Sequence, residues 1–159
     1  MRKSVVFSVV LVSFVLVSSV SLAQAVKGEN VVVLKEATTT KLAGGKTYVT
    51  QGNHQFFMTA DPKHPFNGAS GDCDGACVVD ANNSATCMGS CTVVDREGDI
   101  SFFTWDGQTE GTWKLVGGTG KWKSSSGQGT WKGSPDAAPG NFARNSWEGT
   151  MTMAAATKK

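Results

Sequence analysis

Apolar residues in this chain come in short bursts separated by Gly, Asn, Asp and Ser, and no window of about eleven residues holds a convincing 3.6-residue period. The period that does appear is two. Trp113 and Leu115 alternate with Thr112 and Lys114, Trp131 sits between Thr130 and Lys132, and Trp147, Met151 and Met153 oppose Glu148, Thr150 and Thr152. Strands with one wet and one apolar face produce that pattern. The pattern predicts strands over 30–36, 46–51, 54–60, 78–80 with 86–95, 99–106, 111–117, 120–124 with 128–132, and 146–153. Turn signals fall at Gly44-Gly45, Gly52-Asn53, Asn82-Asn83, Glu97-Gly98, Gly107, Gly117-Gly118 and residues 135–140. Such spacing predicts an all-β sandwich or barrel of antiparallel strands. The stretch from Ile100 to Trp105 is apolar on both faces, so a loop, a neighbouring element or another subunit is expected against its outer side, and an oligomer is left open.

A different pattern opens the chain. Arg2 and Lys3 precede an uncharged run rich in Val, Leu and Phe, which ends in Ala23-Gln24-Ala25, a small-x-small cleavage pattern. Residues 1–25 read as a secretory signal peptide and 26–159 as one mature domain, exported to a periplasmic or extracellular space. An uncleaved membrane anchor is the competing reading, and the serines scattered through the run oppose it. After cleavage no membrane association is expected.

Charge follows from this division. The chain carries 15 Lys plus Arg against 13 Asp plus Glu, and Arg2 and Lys3 account for the whole excess. A mature domain of zero net charge gives no reason to expect a nucleic-acid partner. The terminal Lys158-Lys159 pair is too short for a binding patch.

All four cysteines lie in "CDGACVVDANNSATCMGSC", residues 73–91. Facing residues of an antiparallel hairpin share a constant index sum, and Cys73 with Cys91 and Cys77 with Cys87 both give 164. The even four-residue step then stands both pairs on one face. Two nested cross-strand disulfides follow if the segment is extended. If Gly-rich "CDGAC" and "CMGSC" are turns instead, local bridges return. A tetrathiolate zinc site is compatible with the spacing, and a redox centre is the third option. Export favours disulfides, because oxidising compartments do.

Other chemistry-bearing groups are sparse. "DREGD", residues 95–99, sets acids at alternate positions but lacks the later ligands of a calcium loop, so a hairpin turn is the plainer reading. His54 alternates with Phe56 and Met58, which suggests a wall position, and His64 lies in the Pro- and Gly-rich loop 61–72, a candidate lid. Asn82-Asn83-Ser84 is a glycosylation sequon only in a eukaryotic host. No catalytic triad, metal site or cofactor motif is visible. Trp113, Trp131, Trp147, Phe56 and His54 are the candidate ligand-lining residues.

"LVGGTGKWKSSSGQGTWKG", residues 115–133, resembles the Gly-Gly-Thr-Gly-x-aromatic segment of the allene oxide cyclase and dirigent superfamily, and the similarity runs over residues 111–153. The chain is most similar to exported bacterial members. That resemblance implies a closed eight-stranded antiparallel β-barrel, in agreement with the separate strand reading. "EGTWKLVGG", "QGTWKG" and "WEGTMTM" echo one another as successive hairpins of such a barrel would. In the Gly-Gly-Thr-Gly turn, Gly117, Gly118 and Gly120 would permit positive φ while Trp122 packs. No polar constellation matches the plant cyclases residue by residue. Two functions remain open. One is a non-catalytic exported barrel holding a small apolar ligand or serving structurally. The other, implied by the resemblance, is a cyclase- or isomerase-type enzyme guiding a reactive apolar substrate.

Overall fold

The structure is a computed structural model, described here for residues 23–134 and 142–153. Eight strands run in sequence order as β1 (Ala23–Lys41), β2 (Thr47–Met58), β3 (Ser70–Val79), β4 (Ala85–Val94), β5 (Ile100–Asp106), β6 (Glu110–Gly118), β7 (Ser126–Gly133) and β8 (Phe142–Thr152). Each pairs antiparallel with its neighbours, and β8 closes onto β1 to give a barrel. Closure removes the unpaired edges that an open sheet of these short strands would expose.

Irregularities that bend the strands are visible in the register. It shifts between Leu34 and Glu36 against β2, and between Phe102 and Phe103 against β6. At the second site Val116 is the extra residue, and Gly117 follows it at φ 126°. An inserted residue kinks and twists its strand, which helps a sheet curl.

The two ends of the barrel differ. At one end Phe66, Ala69, Val93, Leu115, Trp122 and Met151 are at most 2 % exposed and form a sealed plug. Phe66 arrives from the loop between β2 and β3 and stacks on Trp122 with ring centroids 4.6 Å apart. Trp122 ends a short 3-10 turn (Gly120–Trp122) between β6 and β7. The expected strand at 120–124 is therefore this turn, because Gly120 at φ 48° diverts the backbone and drives the indole into the barrel end. Gly118 acts differently from the expectation for it, since a Cβ there would collide with the Ile100 carbonyl and the Trp122 side chain.

Two further boundaries change. The expected turn at Gly52-Asn53 is absent, and β2 continues through it, paired as Gly52↔Asp74 and Asn53↔Cys73. Both residues are buried, and pairing on both sides outweighs their turn preference. β3 starts at Ser70, inside the expected 61–72 loop, whose remainder stoppers the sealed end rather than lying over a mouth. Residues 1–22 of the expected signal peptide, and the expected turn at 135–140, lie outside the described residues. Ala23, Gln24 and Ala25 pair with Thr152, Met151 and Thr150.

Candidate functional site

The barrel interior holds a cavity of about 600 Å³. Phe66 is its floor at the sealed end. Lining residues become accessible toward the other end, where Leu34 is 37 % and Phe142 48 % exposed, and the cavity opens there.

Its walls are chemically unequal. On one side Trp105 of β5, Trp113 of β6, Trp131 of β7 and Trp147 of β8 form an aromatic surface together with Phe103. The rings meet edge to face, Trp105 with Trp131 and Trp113 with Trp147, each pair at 6.3 Å between centroids. Edge-to-face contact suits the ring quadrupoles and fixes the indoles against one another. Trp113 Nε1 donates to the carbonyls of Thr130 and Glu148, and Trp131 Nε1 donates to that of Asp106.

On the other side β1 and β2 present carboxamides. Asn30 Nδ2 donates to Gln55 Oε1 at 2.7 Å, and Gln55 Nε2 donates to Asn53 Oδ1 at 3.0 Å. Asn30 and Asn53 are buried, and Gln51 extends the row toward the mouth. Relaying amides in this way satisfies part of their hydrogen-bonding capacity inside the barrel.

The third part of the wall is covalent. Cys73 is bonded to Cys91 and Cys77 to Cys87, with no free cysteine among the described residues. Their register is Cys73↔Cys91 and Cys77↔Cys87, with both bridges on the inner face of the β3–β4 hairpin. Around them the inner face of that hairpin is small, with Gly75 and Gly89 between the cystines and Gly71 just beyond Cys73. Asp80 closes the hairpin, its carboxylate accepting from the backbone N–H groups of Asn82 and Ser84, and Asn83 takes φ 63°. The two disulfides are those of a chain that matures in an oxidising compartment.

Of the sequence-predicted lining residues, Trp113, Trp131 and Trp147 face the cavity. Phe56 and His54 do not. Both lie on the outer face of β2, where His54 Nδ1 meets Asp72 at 2.7 Å and Phe56 is 48 % exposed. Hydrogen bonds from His54 and then Lys35 hold the Asp72 carboxyl below its ordinary value. The alternation in β2 was real, but its inner phase is polar at Gln51, Asn53 and Gln55 and turns apolar only at Phe57. Expecting the apolar phase inside inverted the strand. Trp105, Phe66 and the amide row were also missed. A continuous period-two run of Gln51, Asn53 and Gln55 was the available signal, and the false turn at Gly52-Asn53 cut it in two.

No ionisable side chain lines the cavity among the described residues, the cysteines there being bonded. Charges lie at the sealed end and outside. Asp95 accepts from Trp122 Nε1 at 2.8 Å and from the N–H groups of Glu97 and Asp99, while Lys121 Nζ sits 3.0 Å away. Burial opposes its ionisation, yet the hydrogen bonds from Lys121, Trp122 and the backbone outweigh burial and keep the carboxyl below its ordinary value. "DREGD" is thus a hairpin turn locked to the Trp122 plug, and no group of three or more candidate metal ligands occurs among the described residues. His64 accepts the Phe66 N–H at Nδ1, 3.2 Å away. Burial lowers its pKa against the opposing charge of Asp61.

No protein-family model matches the chain, and no curated protein does. Among solved structures, the pterocarpan synthase dirigent protein GePTS1 aligns with 85 % of this chain and 90 % of its own at a TM-score of 0.52 and 13 % identity. The pterocarpan synthase dirigent protein PsPTS1 aligns with 84 % of this chain and 97 % of its own at a TM-score of 0.50 and 14 % identity. With its closed eight-stranded meander, the chain has a dirigent-like barrel fold.

Proposed function

We propose that this protein is an exported container that binds a small, uncharged, largely apolar molecule inside its barrel without transforming it. One observation carries the reading. The cavity of about 600 Å³ is lined by aromatic, aliphatic and carboxamide side chains, with no ionisable group among the described residues. A volume of that size suits one small organic ligand. Moving a charged ligand into it would sacrifice hydration with no counter-charge on the wall, so neutral molecules are selected. General acid or base catalysis needs a titratable group within hydrogen-bond reach of the reacting atom, and this wall offers none. Export is supported by the two disulfides and by the apolar leader.

A second reading has support in the names of the structural neighbours, which describe dirigent proteins as pterocarpan synthases. A cyclase- or isomerase-type reaction could be steered here by orientation alone, and the same cavity would serve. Kinship with exported bacterial barrels of the allene oxide cyclase branch fits either reading.

Tryptophan fluorescence tests the container directly. N-phenyl-naphthylamine should quench the indole emission saturably at one molecule per chain, while its sulfonated relative, anilinonaphthalene sulfonate, should bind at least tenfold more weakly. Equal binding of the two, or a signal from neither, would remove the reading.

A further inference from the structure

We infer that the carboxamide row on β1 and β2 is the specificity element of this cavity, selecting neutral ligands that carry hydrogen-bonding groups along one edge of an apolar body. The inference rests on the container reading and adds to it an orientation and a chemical class.

The row is built rather than incidental. Gln51, Asn53 and Gln55 alternate along β2, so all three face inward, and Asn30 reaches across from β1 to bond Gln55. Core positions in a barrel of this size would ordinarily be apolar, and burying amides is unfavourable unless their donors and acceptors are matched. The matching is incomplete in a directed way. The relay from Asn30 through Gln55 to Asn53 consumes one donor of Asn30, both partners of Gln55 and the acceptor of Asn53. It leaves the Asn30 carbonyl as acceptor, the Asn53 amide as donor, and the whole carboxamide of Gln51, which has no protein partner among the described residues. All three residues line the cavity.

Across the barrel from β2 stand the rings of Trp105, Trp113 and Trp131 on β5, β6 and β7, while Trp147 of β8 flanks β1. Trp113 and Trp131 commit their N–H groups to backbone carbonyls, and those of Trp105 and Trp147 are buried without a protein partner, so the surface this wall exposes is mainly ring. A ligand with hydroxyl or carbonyl groups on one edge and hydrocarbon on the other would therefore seat in one orientation, its polar edge toward β2. Because the row combines free acceptors with free donors, either a hydroxyl or a carbonyl can be satisfied. A ligand without such groups would bind and leave the amides unpaired.

The test compares biphenyl with dihydroxybiphenyl in binding to the full mature chain, followed by tryptophan quenching at neutral pH, where both are uncharged. Wild-type protein should prefer the diol, by roughly two- to tenfold for each hydrogen bond gained. Gln51→Leu and Asn53→Leu should each reduce that preference toward one. Gln51 has no internal bond to lose, so Gln51→Leu keeps the test decisive should Asn53→Leu fold poorly, and thermal melts report which variants are folded. Preference for the diol that both variants retain would overturn the amide row as the selector, as would equal binding of both molecules by wild type, and either result would leave the container standing. Binding of neither molecule would overturn the container and this inference together.

Discussion

The β3–β4 hairpin ought to depend on its two disulfides more than any other part of the barrel. Its inner face is Gly71, Cys73, Gly75, Cys77 and Val79 on one strand and Ala85, Cys87, Gly89, Cys91 and Val93 on the other. Three glycines contribute no side chain to the core, so the cystines replace packing that other hairpins obtain from large residues. The bridges span 10 residues for Cys77–Cys87 and 18 for Cys73–Cys91. The chain-entropy relation assigns about 2.7 kcal/mol to the first alone and about 3.2 kcal/mol to the second alone. Because they are nested, the outer bridge closes only a ring of about nine residues once the inner one exists, and it then adds about 2.6 kcal/mol. Both together contribute about 5 kcal/mol, a large share of a typical domain's total stability. Urea unfolding of the double variant Cys77→Ala with Cys87→Ala should lower the unfolding free energy by about 2 to 3 kcal/mol and the melting midpoint by about 10 °C. Removal of all four cysteines should leave a chain that is largely unfolded or barely folded at room temperature. Cys73 is wholly buried, so reductant should act slowly on the Cys73–Cys91 bridge of the native protein and quickly in low urea. If the four-alanine variant unfolded within 1 kcal/mol of wild type, the covalent account of this hairpin would be wrong and its ladder hydrogen bonds would have to carry it.

Acid should loosen the sealed end in two steps. His64 has a pKa held below its ordinary 6.5 by burial, so the stability tied to its neutral form is complete above that value and is lost as pH falls through the lower folded value. Protection factors of amides in the loop carrying Phe66, which correct for the intrinsic slowing of exchange toward acid, should fall as pH drops below 6.5, and His64→Asn, which keeps an acceptor, should abolish that fall. Asp95 is likewise depressed from its ordinary 3.8, so its contribution is complete above that value and disappears as pH falls through the folded value. Asp95→Ala should cost about 2 to 3 kcal/mol in urea unfolding at neutral pH, since it strands the buried Trp122 N–H and leaves Lys121 only Glu97 as an ionic partner. A smaller loss than for a surface aspartate would refute that role. Phe66→Ala should cost about 3 to 5 kcal/mol, and an unchanged urea midpoint would show that Phe66 is not the floor of the cavity.

Period-two alternation and Gly-rich punctuation made the antiparallel strands legible from sequence, because a strand with one wet face writes its geometry directly into residue order, whereas the choice of a closed barrel over a sandwich came from the family resemblance. Cysteine pairing was legible for the same reason, since the constant index sum is a property of any antiparallel ladder. Errors arose where local preference and tertiary pairing disagree. Gly52-Asn53 has the composition of a turn, yet it lies mid-strand with partners on both sides. Once β2 was divided, nothing marked Gln51, Asn53 and Gln55 as one inward row, and Phe56 and His54 took their place among the candidate lining residues. A hydrophobic-inside rule fails for a barrel that keeps a polar wall around a cavity, and its outer surface correspondingly carries Phe56, Phe102 and Val116 in partial exposure.

How a barrel this small seats several tryptophans and still stays hollow follows from the glycines opposite them. Gly75 and Gly89 face each other across β3 and β4, and Trp105 lies against both, so closely that a Cβ at Gly89 would fall 2.6 Å from the ring. Gly149, paired with Gly129, receives Trp113, with 2.7 Å between its would-be Cβ and the indole, and Gly28 receives Trp147 in the same manner. Real carbon atoms do not approach that closely, so each ring occupies space that only the absence of a side chain provides. Glycine within a strand normally weakens it. Here it lets an indole lie against the wall instead of projecting to the axis, and the volume so spared is the cavity. The echoed Gly-Thr motifs at residues 111, 129 and 149 therefore record more than curvature. At 149 the motif is the bed of Trp113, and Gly129 pairs with both Trp113 and Gly149, which ties the repeat seen in the sequence to the open interior on which any binding role depends.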